Sequence, residues 1–465
     1  MQLLSSLLTK FVQNGRLKLI NAFGKTYEFG GKGPGPVVVM KLHDARLHNQ
    51  LAVNPELYAG EGYMDGTITF EEGTTVFDFI DLFSYNRSGL AEHPTQKLLR
   101  GYWRAAKRWH QANVVGKAAA NARAHYDVPE EIYRLFLDET MSYSCAFFEN
   151  PKTDTLEQAQ HRKIERLTAK LLLKPGMTVV EIGSGWGSQA IHMAKTRGVT
   201  VKALNVSPEQ LRVSRQRARE AGVDHLVEFV ETDYREYKGK FDRVISVGMM
   251  EHVGIGHFEE YFEKIRDFLK DDGWAAIHCI GRMLPPGSTG PFIRKYIFPG
   301  AYVPSLSEVF AATEKTGTWV ADMEVLRLHY HYTLQHWRKR FAANRAKAVK
   351  IMDERFCRMW EYYLAAVDVG FSNGSNMVFQ VLLAPKIDNV PIVRDAFVDD
   401  ARRPKTIDYA RQPLKAAPKL KPTPGAKKPP AKPAKAAVKP AVNPAAQPAA
   451  AKTAKKPVAR KPKAG

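Results

Sequence analysis

Over residues 155–383 short apolar runs alternate with stretches whose apolar residues recur every three or four positions, the pattern of strands separated by amphipathic helices. Thr155-Leu156-Glu157-Gln158 has the form of a capping box, and the helix it opens carries Ile164, Leu167 and Leu171 to the stop Lys174-Pro175-Gly176. Val179-Val180-Glu181-Ile182 reads as a first strand, Gly183-Ser184-Gly185-Trp186-Gly187-Ser188 as a glycine elbow, and the stretch with Ile191, Ala194 and Lys195 as a first helix. A second strand over 199–206 contains Asn205 near its end and is followed by Ser207-Pro208-Glu209-Gln210, a capping serine with proline at the first helical position. A third strand over 227–230 leads to Thr232-Asp233-Tyr234-Arg235, a fourth over 241–247 to Glu251-His252, and a fifth over 274–280 contains His278. A late apolar run, 377–383, can close the sheet. Strands alternating with helices predict a mostly parallel, doubly wound α/β sheet.

Upstream the pattern changes. Leu3, Leu4, Leu7, Leu8, Phe11 and Val12 form one helical stripe, whose expected role is core packing rather than lying on a membrane. Residues 27–76 hold short β-like runs, 37–40 and 67–70, broken by Gly and Pro, which predicts a small mixed N-terminal domain over 1–94. The stretch Tyr58-Ala59-Gly60-Glu61-Gly62-Tyr63-Met64-Asp65-Gly66 carries no chemistry that its residues reveal. Residues 95–124 read as a basic helical linker, with Lys97, Arg100, Arg104, Lys107, Arg108 and Lys117 among Tyr102, Trp103 and Trp109. The main domain is expected over 125–400.

The formal charge of +21 is unevenly distributed: the last 53 residues contain 13 Lys, one Arg and no acid, which leaves +7 for the other residues. Lys, Pro and Ala with almost nothing to bury predict a disordered basic tail over 401–465. No run approaches the roughly 18 apolar residues of a transmembrane helix, and the N-terminus lacks a signal-peptide pattern, so a cytoplasmic location is expected. Cys145, Cys279 and Cys357 are isolated, without metal-ligand spacing or a disulfide framework, and no metal site is expected.

The elbow lies where ligands bind in such sheets, at the carboxyl end of the first strand. Its pattern is Gly-x-Gly-x-Gly, not the dinucleotide fingerprint, and no Gly-Lys-Ser/Thr follows to cradle phosphates. Glu181, just before the first glycine, can hold a cationic amino group. S-adenosylmethionine (SAM), with an amino-acid end and no phosphates, fits better than a nucleotide. Asn205 stands where ribose-binding folds often place an acid, so Asn205 or Gln210 could bond ribose or methionine groups, and Asp233 could accept from the adenine amino group.

Taken together, these motifs resemble the cyclopropane-fatty-acyl-phospholipid synthases and mycolic acid cyclopropane synthases. The likeness runs over 125–384 through His125-Tyr126-Asp127, Tyr143-Ser144-Cys145-Ala146, the glycine elbow, Asp233-Tyr234-Arg235, Val247-Gly248-Met249-Met250-Glu251-His252-Val253-Gly254, Tyr296-Ile297-Phe298-Pro299-Gly300, Tyr330 with Thr333-Leu334 and Trp337, and Trp360-Glu361-Tyr362-Tyr363-Leu364. The resemblance implies a class I SAM-dependent methyltransferase with a Rossmann-like sheet. It implies cofactor contacts from Tyr143, Ser144, the elbow (Glu181, Gly183, Gly185, Gly187), Gln210, Tyr234 and Arg235, with Asn205 in place of the family's Thr. It also implies a bicarbonate ion as general base, held by Cys145, Glu251, His278, Ile280 and Tyr330. A further departure is Val367, where the family often has a cysteine.

The implied reaction adds a methylene group to the cis double bond of an unsaturated phospholipid acyl chain. An isolated alkene is a weak nucleophile, so positioning and water exclusion dominate, and aromatic faces and carboxylates must stabilise the carbocation. Tyr143, Phe147, Phe148, Tyr330 and Glu251 are the candidates, while His192 and His252 read as structural. The expected partners are unsaturated phospholipids at the inner membrane face and anionic lipid bound by the tail; homo-oligomerisation and nucleic-acid binding stay open. The competing readings are a lipid C-methyltransferase giving a methyl-branched or methylene product, and a polyanion-binding protein with a vestigial enzyme domain.

Overall fold

The N-terminal apolar stripe folds as α1 (Gln2–Phe11), which buries Leu4, Leu7, Leu8 and Phe11. They join Leu17 and Leu19 of β1 (Asn14–Ile20) and Val38 and Met40 of β3 (Gly33–Leu42) in one cluster, so the stripe is a core face. With β2 (Thr26–Gly30) and β4 (Ile68–Phe70) these strands make a sheet of order β2-β1-β3-β4, in which only β1 and β3 run parallel. The expected runs lie in β3 and β4. β1 was not expected, because only Leu17 and Leu19 mark its inner face between Arg16 and Lys18.

Helices α2 (Leu47–Val53), α3 (Pro55–Met64) and α4 (Val76–Tyr85) complete this part. The glycine-rich stretch proves to be mostly α3. A Cβ on Gly60 would lie 2.3 Å from the Phe292 ring, so the missing side chain permits close helix approach. Contacts join the N-terminal part and the larger sheet domain into one compact unit.

The computed structural model describes residues 1–31, 33–87, 128–402 and 410. The basic segment 95–124, the expected domain start at His125 and the tail from Pro413 lie outside the described residues.

After α5 (Glu130–Arg134), the capping box at Thr155 opens α6 (Leu156–Ala169), with both reciprocal bonds formed. The chain then alternates through β5 (Thr178–Ile182), α7 (Ser188–Arg197), β6 (Thr200–Asn205), α8 (Pro208–Glu220), β7 (Val227–Glu231), β8 (Phe241–Val247), α9 (Phe258–Phe268) and β9 (Leu269–Arg282). It ends through α10 (Leu306–Thr316), β10 (Trp319–Leu326), α11 (His329–Ala343), α12 (Arg345–Ile351), α13 (Glu354–Ser372), β11 (Asn376–Ala384) and α14 (Asp395–Arg402).

Strand order is β10-β11-β9-β8-β5-β6-β7, with β11 antiparallel to both neighbours. Adjacent β5 residues face opposite cores: Val179 packs with residues of α6, α7 and α8, and Val180 with residues of α9 and α10. That is the double winding read from the alternation. The late apolar run is β11, but it does not form the edge. β10 does, and its mixed, largely exposed sequence Trp319-Val320-Ala321-Asp322 hides it from an apolar-run search. The strands that follow β5 add first on one side, as β6 and β7, and then on the other, as β8, all parallel to it, so a crevice opens at their carboxyl ends.

Candidate active site

β5 delivers Gly183 (φ +79°), Gly185 (+50°) and Gly187 (+82°) into the left-handed region, and α7 begins at the next residue. The amides of Gly183 and Ser184 both donate to Leu204 O at 3.0 Å, tying the elbow to β6. The three glycines serve different needs. A Cβ on Gly183 would strike Met249, and one on Gly187 would strike Phe229, whereas one on Gly185 would meet nothing within 4 Å. Gly185 alone opens on empty space, and Gly187 does not line the crevice.

That space is a cavity of about 160 Å³. It is lined by Tyr143, Ser144, Glu181, Gly183, Gly185, Asn205, Gln210, Asp233, Tyr234 and Arg235, so the structure brings together every expected cofactor residue except Gly187. Glu181 Oε2, Ser184 Oγ and Tyr234 OH are buried there without a hydrogen-bond partner among the described residues. Such atoms suit a polar ligand. Burial pushes the Glu181 carboxyl up to about 8, against the opposing pull of the Lys163 ammonium. Asn205 is a strut: its Nδ2 donates to Gly185 O (3.1 Å) and Gln210 Oε1 (3.0 Å), and its Oδ1 accepts from the Val206 and Ser207 amides. Asp233 is clamped by Arg235 through both oxygens, at 2.9 and 2.7 Å.

One wall of this cavity is a strap ending in Tyr143-Ser144. Asp138 shapes it by accepting from the Thr140 and Ser142 amides, with Met141 held at φ +57° between them. From α6, Gln160 Nε2 donates to Ser144 O at 2.8 Å and Lys163 Nζ to Ser144 Oγ at 2.9 Å. Sequence reasoning missed Lys163. The available signal was a lysine on the same face of α6 as Ile164 and Leu167, where periodicity calls for an apolar residue.

A second cavity of about 100 Å³ adjoins the first, the two sharing Tyr143, Gly248 and His252. Glu251, Tyr330, Tyr363, Tyr302, Phe298 and Ile293 complete most of its wall. Glu251 Oε1 accepts from the Ile280 amide at 2.7 Å, while Oε2 has no partner among the described residues. Burial pushes this carboxyl up to about 7. Tyr143 and Tyr363 meet hydroxyl to hydroxyl at 2.7 Å. His252, expected to be structural, lines both cavities, and burial pushes its ring down to about 4, so it is neutral at pH 7. His192 instead bonds Glu165 at 2.9 Å.

Of the five expected catalytic residues, Glu251 and Tyr330 line this cavity and Cys145, His278 and Ile280 do not. Cys145 Sγ is buried against Ala146 O, and burial pushes the thiol up. His278 sits within β9 with Nδ1 3.1 Å from Gln380 Nε2, and burial drives it well below its ordinary value. Ile280 takes part through its amide to Glu251. Phe147 and Phe148 need correction: Phe147 stacks on His329 at 4.5 Å and beneath Arg166, and Phe148 stacks on His336, so neither faces the cavity. Both rings pack on histidines of α11, and Arg166 of α6 lies over Phe147, whereas Tyr143 lines both cavities. Tyr363 and Phe298 supply the aromatic wall in their place. Val367 packs against the aromatic core on α13.

A seven-stranded sheet of this order, with a glycine elbow opening on a cavity of unpartnered polar atoms, defines a class I SAM-dependent methyltransferase. The chain belongs to the mycolic acid cyclopropane synthetase family, whose profile matches residues 115–381. It is 40% identical over 276 residues to the tuberculostearic acid methyltransferase UfaA1 of Mycobacterium tuberculosis, spanning 57% of this chain but only 64% of that protein. It is 32% identical to the cyclopropane-fatty-acyl-phospholipid synthase of Escherichia coli over 71% of this chain and 83% of that one. The solved mycolic acid cyclopropane synthase CmaA1, complexed with SAH and CTAB, superposes with a TM-score of 0.54 at 30% identity, covering 57% of this chain and 97% of that one. The protein is thus a SAM-dependent methyltransferase of a lipid-modifying family.

Proposed function

We propose that this enzyme adds a methylene group to the cis double bond of an unsaturated phospholipid acyl chain and closes a cyclopropane ring. The observation that carries this reading is the second cavity, walled by aromatic rings beside the cofactor crevice and lined by Glu251, whose buried Oε2 has no partner among the described residues. Bound at the elbow, SAM supplies an electrophilic methyl group. The chain's residues exclude water, hold the alkene in line and surround the carbocation with the rings of Tyr143, Tyr330, Tyr363 and Phe298. The ring closes when the new methyl carbon gives up a proton and its C–H electron pair bonds to the cationic carbon. Glu251 and Tyr330 are the residues that would hold a bicarbonate ion here, a group that supplies a base without a dedicated side chain.

A second reading is favoured by the higher identity to a protein named a methyltransferase: alkylation followed by a different deprotonation or by reduction, giving a methylene or methyl-branched chain. Lipid mass spectrometry of a host expressing this chain, fed methyl-labelled methionine, separates the two. Cyclopropanation and methylenation each add one CH2, and reduction adds two further hydrogens. Oxidative cleavage then breaks a methylene double bond and spares a cyclopropane. Label-bearing chains that are cleaved or carry the extra hydrogens would overturn the cyclopropane assignment.

Among the described residues no helix is long and apolar enough to cross a membrane. The proposed location, peripheral at the cytoplasmic face of a membrane, rests on the bilayer substrate of the proposed reaction and on the basic tail as the contact to anionic lipid.

A further inference from the structure

The first cavity has a charged end that adenosine does not account for. Lys163 Nζ, on a side chain that is 3% exposed, reaches Ser144 Oγ at 2.9 Å, and Glu181, 2% exposed, lines the same cavity. They are close enough for each to bias the other's protonation, and Asp138 of the strap also acts on the Lys163 ammonium, yet among the described residues no direct ion pair joins Lys163 to Glu181. Glu181 has the Ala190 backbone amide on one side, and its Oε2 has no partner among the described residues. Burying an ammonium and a carboxylate is costly unless each finds a counter-charge. A buried ammonium and a buried carboxyl that an arriving ammonium would ionise, lining one cavity without contact, form a receptor for a zwitterion, and an α-amino acid group is a zwitterion of the right size.

We propose that Lys163 is a positioning residue for the cofactor: its ammonium, with the Ser144 hydroxyl it holds, receives the carboxylate of the methionyl end, while Glu181 receives the ammonium. This rests on the SAM-dependent reading and assigns one end of the ligand its orientation. Fixing that end fixes how far the sulfonium methyl projects toward the second cavity. The same helix face provides an internal control, because Gln160 holds the strap through Ser142 O (3.3 Å) and Ser144 O (2.8 Å) without bringing a charge.

The test compares binding of SAM with binding of decarboxylated SAM, which keeps the amine, sulfonium and adenosine and lacks only the carboxylate. Calorimetry is run on the wild type and on the K163M, K163R and Q160A variants, each checked for a cooperative thermal transition. A lost charge-assisted hydrogen bond lowers affinity on the order of tenfold or more. K163M is expected to lose that much for SAM and little for the decarboxylated analogue, abolishing the preference for the carboxylate, and K163R is expected to restore part of it. Q160A is expected to weaken both ligands alike. A K163M variant, or K163Q should methionine not fold, whose SAM preference equals that of the wild type would overturn the proposal, as would equal loss for both ligands. Failure of the wild type to bind either ligand would strike the SAM reading itself and not the role of Lys163.

Discussion

The Tyr143 and Tyr363 hydroxyls lie 2.7 Å apart, joining the strap that walls the cofactor crevice to helix α13 beside the second cavity. Burial keeps both phenols protonated, so the bond is neutral and directional. Tyr363→Phe removes the contact while leaving the ring. The expected outcome is a turnover number lowered roughly fivefold, the effect of about 1 kcal/mol in a neutral hydrogen bond that orients the reacting groups. SAM affinity, measured in parallel, should hardly change, because the pair's Tyr363 side faces only the second cavity. Equal losses in both would place the pair in cofactor binding.

Gly185→Val is expected to abolish SAM binding in a folded protein. Its Cβ would enter the open space of the crevice, and φ +50° strains a branched side chain. Calorimetry showing wild-type affinity in a variant with a normal melting transition would disprove this. Valine at Gly183 or Gly187 tests a different property, since those positions abut Met249 and Phe229; there the loss should appear first in stability.

Glu251→Gln separates stability from catalysis. In the unfolded chain this carboxyl ionises near 4.5, and in the folded protein burial holds its proton to about 7. Between those values the unfolded state binds fewer protons than the native state, so native stability falls as pH rises through the window and levels off above 7. Glutamine does not titrate. The variant should match the wild type below pH 4.5 and be the more stable protein at pH 8, by at most about 3 kcal/mol. Turnover should nevertheless drop sharply with SAM affinity preserved. Thermal melts across pH 4 to 8, together with kcat and Kd at pH 8, check both halves.

The sheet domain was legible because both its faces are buried: 179–182, 241–247 and 377–383 are apolar runs with little competing explanation. The cofactor crevice was legible for a related reason, since one strand-elbow-helix segment contains most of it. What escaped sequence reasoning depends on contacts distant in sequence. The role of α3 is set by Phe292, more than two hundred residues away, and Lys163 gains meaning only when α6 lies against the strap. Phe147 and Phe148 were misassigned because composition marks aromatic rings near the site but not which way they turn. β10 escaped because an edge strand with one exposed face lacks the apolar run that betrays a central one.

Gly60→Leu tests whether the N-terminal part supports the second cavity. The added side chain collides with the Phe292 ring, which packs on Tyr362 at 4.5 Å and precedes Ile293 in the cavity wall. Overpacking of this kind costs about 1–3 kcal/mol. A lowered melting temperature and a raised KM for lipid are expected, with SAM affinity retained. If KM for lipid is unchanged while the melting temperature falls, the N-terminal part supports the fold only.

The charge of the chain is concentrated where the catalytic machinery is not. Residues 413–465 contain 14 positive charges and no acid, and the inferred substrate lies in a bilayer. Each basic residue near an anionic surface contributes on the order of 1 kcal/mol at best, so such a segment can hold the enzyme loosely and reversibly at its substrate. Screening over a Debye length of about 8 Å at physiological ionic strength makes the attachment salt-sensitive. Nucleic acid attracts the same charges, so the lipid assignment needs a direct comparison. Full-length protein and a chain ending at Arg411 are to be sedimented with vesicles with and without anionic lipid, at low and high salt. The full-length form should bind anionic vesicles at low salt and release at high salt, the truncated form should bind markedly less, and turnover on a detergent-dispersed substrate should be the same for both. Equal vesicle binding by the two forms at low salt would rule out the tether. Loss of binding to duplex DNA with no change on vesicles would reassign the tail to nucleic acid.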